Sequence, residues 1–387
     1  MSFHNGWSYL LAPMNVEEFL RSHWEPQKPL YIPGHESKFR DLLDRKRFVD
    51  AITALPKDGN LQLRVGYTNA DDTGSAYGFF GGREALEHFD RGGTVCATSL
   101  EHVEPRVREF RDILAAQWPS PDPIIVNCYY SPEGQGFGTH FDPQSVWVMQ
   151  IEGRKRWFYS TERAVAFPDE GITAMELRVN GSPLLAAAES MQEVELGPGD
   201  VLYLPPGTWH RAEAQGDSSL ALSVSQLAHG TRRVVSRMMR KHILDREEWR
   251  RHFPLPLRGS APVEPHLEKL LGEMKAMVNQ LTVNDLRDLW ALMALPKSAQ
   301  QEPAAIDEHD QVRVAAPLAA FVDDDAKQVT VYRNQRRYQL PWACRSLVSR
   351  DGEAFTAGEL AAQLNAPWED ASPLIHDLLQ IGVLAQL

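Results

Sequence analysis

The sequence predicts an α+β protein: a small all-β barrel or double-sheet jelly roll, then a helical stretch, then a small mixed C-terminal segment. Three observations predict it. From about Val126 to Leu227, short β-rich runs alternate with Gly, Pro and Asp turns. After His229 the apolar spacing lengthens from two residues to three and four. A polar stretch rich in Pro, Ser, Gln and Asp, Pro296 to Gln311, then reads as a linker. The expected domains are 1–228 (barrel core about 126–227), 229–300 and 301–387.

Ahead of the barrel, Val16 to Trp24 has helical spacing, and Lys28-Pro29-Leu30-Tyr31-Ile32 reads as a strand entered through a proline. Phe39 to Leu55 is expected to be helical and Leu61 to Tyr67 extended. Within the barrel, Val126 to Tyr130 and Val146 to Ile151 read as strands around a Gly-rich turn that leads into His140. Met191 to Leu196 alternates apolar and polar residues as a half-buried strand does. Gly197-Pro198-Gly199-Asp200 is a turn, Val201 to Leu204 a short strand, and Pro205-Pro206-Gly207 a second turn. Thr231 to Lys241 and Val263 to Met293 read as helices, the latter with Leu267, Leu270, Leu271 and Met274 on one face. That face suits a packed core or an oligomer interface, here a homodimer. The last segment combines extended Gln328 to Leu340 with helical Thr356 to Leu364 and Pro373 to Ile381, and resembles a winged-helix module. Its second helix lacks the basic face that DNA binding needs, so a scaffold or protein contact is expected instead.

At 387 residues, 43% hydrophobic and 24% charged, the composition is that of an ordinary globular chain. Three widely spaced cysteines, Cys96, Cys128 and Cys344, form neither a disulfide framework nor a thiolate zinc site. No run of 18 apolar residues occurs, and Met1 to Leu20 carries Asn, His and two Glu, so neither a membrane span nor a signal peptide is expected. A cytoplasmic location is the expectation. The net charge of −12 disfavours nonspecific nucleic-acid binding and favours a basic partner.

The chemistry lies in His140-Phe141-Asp142 and in His210, 68 residues beyond His140. Two imidazoles and a carboxylate are the protein half of a facial iron(II) site, with positions left for a co-substrate and oxygen. The short motif alone is weak, since about one H-x-D is expected by composition, and His88-Phe89-Asp90 repeats it. That copy lies in a run, Gly82 to Asp90, whose Ala, Leu and Glu content predicts a short amphipathic helix, where residues two apart diverge. On a strand they share a face, as two ligands of one ion must. Setting therefore favours His140 and Asp142. Strand, turn and strand would deliver His210 to the rim of the same barrel. Further on, in Gly153-Arg154-Lys155-Arg156-Trp157, alternation turns Lys155 to the face opposite its two neighbours, so one cation can point inward to hold a carboxylate.

In this order, Asn127-Cys128-Tyr129, Gln135-Gly136-Phe137, His140-Phe141-Asp142, Gln150 to Trp157, Gly199 to Gly207 and His210 resemble the JmjC-type 2-oxoglutarate oxygenases. Within them they are similar to the ribosomal oxygenases. The resemblance implies a double-stranded β-helix (cupin-like) barrel, with Fe(II) held by His140, Asp142 and His210. It further implies that Lys155 grips the distal carboxylate of 2-oxoglutarate, that Ser225 assists, and that Asn127 and Tyr129 line the pocket. The implied activity is hydroxylation of an Arg or His side chain in a large-subunit ribosomal protein, with oxygen and 2-oxoglutarate as co-substrates. Lys155 itself departs from the Arg of some bacterial relatives. Pro143-Gln144-Ser145 also departs from their pattern, and the long insert around Phe167 to Ala188 matches no motif of the resemblance. Two alternatives remain beside hydroxylation of a ribosomal protein. One is the same chemistry on a peptide or an N-methyl-lysine, which product mass separates. The other is a barrel kept only for binding, which an intact ligand set with Lys155 disfavours.

Overall fold

Two strands of twenty residues build the barrel, and their glycines explain how they bend. In the computed structural model, β1 (Leu30–Ile32), β2 (Gln62–Thr68), β3 (Ser75–Phe80), β4 (Thr94–Thr98), β5 (Ile124–Pro132), β6 (Gly136–Phe141) and β7 (Gln144–Arg163) are followed by β8 (Ile172–Thr173), β9 (Gln192–Leu196), β10 (Val201–Leu204) and β11 (Thr208–Leu227). The structure describes all residues except 1, 55–61, 69–74, 174–190, 255–262, 296–304, 316–318 and 351–352. Most of the insert and most of the expected linker therefore lie outside the described residues. β7 and β11 pair antiparallel from Gln144 opposite Leu227 to Arg163 opposite Thr208, with the register slipping between Gln215 and Leu220. Gly153 and Gly216 sit at that slip with φ of +68° and +72°, a region that L side chains rarely adopt. A side chain on Gly153 would also run into the Ser218 carbonyl. The hairpin turns over there, so its halves face each other: Val146 and Val148 line the same cavity as Lys155 and Trp157. The sheet order β1-β10-β7-β11-β5-β4-β2-β3, with β6 on β11 and β9 on β7, completes the barrel.

The core outside the cavity is an aromatic cluster. Trp147 is fully buried, with Trp7 4.9 Å, Tyr203 5.1 Å and Trp24 5.7 Å away between ring centroids. Trp147→Ala should cost about 3–5 kcal/mol of stability, read as a lower denaturant midpoint in chemical unfolding. Asp200 ties the N-terminal segment to the barrel. Its carboxylate accepts from Gly34 N at 2.8 Å, Gly197 N at 2.9 Å and the Tyr31 hydroxyl at 3.1 Å.

The chain divides into two compact units. One holds Met1–Trp118 and Asp122–His229; the other holds Gly230–Leu387 with Pro119–Pro121. The second gathers the helical stretch and the C-terminal segment together. Its helices are Gly230–Asp245, Glu264–Gln280 and Val283–Ala294, followed by a β13–β14–β15 sheet (Ala319–Asp323, Gln328–Arg333, Arg336–Leu340) and a β16–β12–β17 sheet (Ala354–Thr356, Gln311–Val314, Leu384–Gln386) with helices Ala357–Gln363 and Trp368–Gln380. None of the described helices is long and apolar enough to cross a membrane.

Four local expectations need correction. The glycine-rich run before His140 is strand β6 rather than a turn, because its backbone pairs with β11 at Phe137, Gly136 and His140. The helix expected over Phe39 to Leu55 begins only at Arg45, where Asp44 caps it by accepting from Arg47 N. Val263 to Met293 is two helices, since Thr282 and Asp285 form a reciprocal capping box that starts a new one. The last helix begins at Trp368, taking in the acidic pair Glu369 and Asp370 at its positive end.

Candidate active site

The three residues singled out from sequence converge. His140 lies on β6 and His210 directly opposite it on β11, while Asp142 follows β6 by one residue. Asp142 Oδ2 is 3.9 Å from His140 Nε2 and 3.7 Å from His210 Nε2. One donor atom from each residue falls within 4.8 Å of the others, an arrangement able to hold a metal ion. Metal bonds of about 2.1 Å at right angles would put such donors about 3 Å apart, so closure needs side-chain shifts of under about 1 Å. The second copy of the motif does not take part: His88 and Asp90 end the helix Gly82–Asp90, and His88 Nδ1 bonds the Tyr67 hydroxyl at 2.6 Å.

Hydrogen bonds orient the imidazoles for ligation. His140 Nδ1 lies 2.7 Å from the Gly138 carbonyl and His210 Nδ1 2.9 Å from the Thr208 carbonyl. A carbonyl only accepts, so each Nδ1 carries the proton and each Nε2 presents a lone pair toward Asp142. Burial, with the neighbouring His140, lowers the His210 pKa to about 4, which keeps its ring neutral and ligand-ready at neutral pH. The residues thus fit a divalent metal by donor set, geometry and protonation.

The triad borders a cavity of about 320 Å³ that also contains Arg64, Asn127, Tyr129, Gln144, Lys155, Trp157 and Ser223. Lys155 is 3% exposed and donates to Ser131 Oγ at 2.9 Å. Burial brings its pKa down to about 8. Its neighbours point the other way, as strand alternation requires: Arg154 pairs with Glu195 at 2.7 Å and Arg156 with Glu213 at 2.8 Å. Lys155 stands opposite Ala214, four residues along β11 from His210, or about 13 Å. The cavity therefore runs from a metal-binding end to a cationic end.

Asn127 accepts from Ser99 N through Oδ1 at 3.0 Å, which leaves its amide nitrogen as a donor. Tyr129 packs edge-on to Phe137 at 5.3 Å, and burial pushes its pKa well up, so the phenol stays protonated. Ser223, directly opposite Asn127 on the neighbouring strand, lines the cavity. Ser225 is buried beside it, hydroxyl to hydroxyl 3.3 Å, and is not part of the lining. Sequence reasoning missed Arg64 and Ser131. Ser131 was discoverable, since it continues the alternation Asn127, Tyr129 on β5; Arg64 reaches the cavity from β2, which carries no motif.

A curled β-barrel with two histidines and an aspartate facing a cavity and a buried lysine beyond them is the arrangement of a cupin-type barrel able to hold a metal ion. Residues 101–234 match the JmjC domain family. The chain is 30% identical to ribosomal oxygenase 1 of Gallus gallus over 233 residues, 56% of this chain and 36% of that protein. It is 24% identical to YxbC of Bacillus subtilis over 296 residues, 70% of this chain and 87% of that one. The fold matches YcfD, a ribosomal oxygenase from Escherichia coli in complex with cobalt and 2-oxoglutarate, with a TM-score of 0.53 at 19% identity, covering 97% of this chain and 98% of that one. Residues 101–234 thus carry the match to the JmjC domain, and the chain is similar there to ribosomal oxygenases. It spans only about a third of the length of the Gallus gallus relative.

Proposed function

We propose that the protein is an iron(II)- and 2-oxoglutarate-dependent hydroxylase that modifies a side chain of a basic, ribosomal protein. One observation carries the reading: Nδ1-anchored imidazoles and a carboxylate at one end of a cavity, a buried lysine at the other. His140, Asp142 and His210 would hold the metal on one face and leave three positions open. Bound iron would couple decarboxylation of 2-oxoglutarate to succinate with transfer of one oxygen atom to the substrate. Lys155, steadied by Ser131, would bind the far carboxylate through a charge-assisted hydrogen bond. The Asn127 amide would donate to bound co-substrate, and Tyr129 with Trp157 would wall it from water. Ser225 would act through Ser223, which its hydroxyl contacts. Relatives include a bifunctional lysine-specific demethylase and histidyl-hydroxylase from Drosophila pseudoobscura, and the net charge of −12 suits a basic substrate. Purified protein with Fe(II) should convert 2-oxoglutarate to succinate, and ribosomal extract should raise that rate; no succinate with any metal loading would refute the reading.

We also propose a homodimer through the helical stretch. Leu267, Leu271, Met274 and Val278 are all exposed and fall on one stripe of the helix Glu264–Gln280. Light scattering should report twice the chain mass, and Leu271→Glu should shift it toward one chain. A monomeric wild type would contradict the proposal.

A further inference from the structure

The helix Gly230–Asp245 carries an unbalanced charge. From Gly230 to Leu244 it holds Arg232, Arg233, Arg237, Arg240 and Lys241 and no carboxylate, in a chain whose net charge is −12. Arg232 and Arg233 fall in the first turn, which contains no acidic residue, although the helix dipole favours anions there. At 3.6 residues per turn the four arginines lie within about 140° of one another, along about 12 Å of helix. Met238 marks the opposite side: it is buried and lines one cavity with Met277 and Leu289 of the two following helices. Arg232, Arg237 and Arg240 are exposed and Arg233 is half-buried. The guanidinium groups of Arg237 and Arg240 form no ion pair among the described residues.

Arg233, Arg237 and Arg240 stand four and three residues apart, the spacings at which like charges repel along a helix. A surface helix ordinarily intersperses the two signs, so a bound anion would relieve this face. Its chemistry narrows the anion. Guanidinium forks match phosphate oxygens with paired hydrogen bonds, which a single ammonium does not. Four of them along one ridge suit a polyanion better than one phosphate. A second copy of this chain, meeting the face about a two-fold axis, would set arginine against arginine. The acidic balance of the whole chain opposes nucleic acid at long range, yet affinity at contact follows the number of phosphates neutralised.

We propose that this arginine face binds the phosphate backbone of RNA. The choice of RNA rests on the reading above, in which the substrate is a ribosomal protein. Fluorescence anisotropy of the full chain with a labelled RNA hairpin of about 20 nucleotides tests it. Wild type should bind the hairpin, and raising salt from about 50 to 200 mM should weaken binding about 40- to 150-fold, as expected for three or four neutralised phosphates. Arg237→Gln with Arg240→Gln should weaken binding at least about tenfold at the lower salt and reduce the salt slope by about two. Lysine at both positions keeps the charge and should keep most of the slope. Thermal melting verifies that both variants fold. No binding at the lower salt, or a slope unchanged in the glutamine variant, would overturn the proposal. So would stronger binding to the DNA form of the hairpin or to phosphatidylserine vesicles, or a change in oligomeric mass of the glutamine variant by light scattering. Succinate formation separates the two readings: turnover without RNA binding sinks only the arginine face, whereas arginine-dependent RNA binding without turnover sinks only the hydroxylase.

Discussion

Asp142→Ala should reduce 2-oxoglutarate turnover to background and strip the protein of tightly bound divalent metal. Asp142 is the only anionic member of the triad, and its Oδ2 lies within 4 Å of both Nε2 atoms. Without it two neutral imidazoles remain, a weaker pair that no longer completes a facial site. Asp142→Asn is the sharper variant, because it keeps the shape and removes the charge; it should lose most of the metal affinity while melting as wild type does. His140→Ala should behave as Asp142→Ala does, since the Gly138 carbonyl that orients the ring is then left without a ligand to orient. Metal titration by calorimetry, alongside succinate formation, separates loss of the ion from loss of the fold. Unchanged turnover in Asp142→Ala would remove the triad from the account.

Lys155→Ala should weaken 2-oxoglutarate binding by about 1.5–3 kcal/mol, the range for a hydrogen bond to a charged group, or roughly 10- to 150-fold in Kd. Succinate affinity should fall in parallel, because it shares the distal carboxylate. The lysine also sets a pH dependence. Burial holds its pKa in the ligand-free protein near 8, and a bound carboxylate would raise it. Binding then takes up a proton above pH 8, so affinity should be flat below that value and fall above it, by at most about tenfold per pH unit. In the ligand-free protein the sign is opposite for stability. A lysine whose folded pKa is depressed below its unfolded value binds fewer protons when folded, so stability rises as pH climbs from about 8 toward the unfolded pKa. Lys155→Met should abolish the alkaline loss of affinity; a slope that persists would assign the titration to another group.

Much of the site was legible because strand periodicity makes sequence spacing geometric. His140 and Asp142 could be told from His88 and Asp90 by their surroundings alone, and the lysine between two arginines could be turned inward by alternation. His140, Asp142, His210 and Lys155 are all placed by contacts within two or three neighbouring strands. What was not legible depends on how distant strands meet. Arg64 enters from β2, and nothing in its flanking residues points at a cavity. Choosing Ser223 rather than Ser225 as the lining hydroxyl needs the register of β11 against β5, which is set where the hairpin slips between Gln215 and Leu220. The helix break at Thr282 was a missed capping box, a local signal present in the sequence.

The most direct test of the account is the mass of the substrate. Ribosomal proteins from cells with and without the gene, compared as intact masses and then fragmented, should differ by one added oxygen on a single large-subunit protein, with the oxygen restored by wild type and not by Asp142→Ala. Identical masses in both strains, or a mass difference equal to lost methyl groups, would contradict a ribosomal protein hydroxylase.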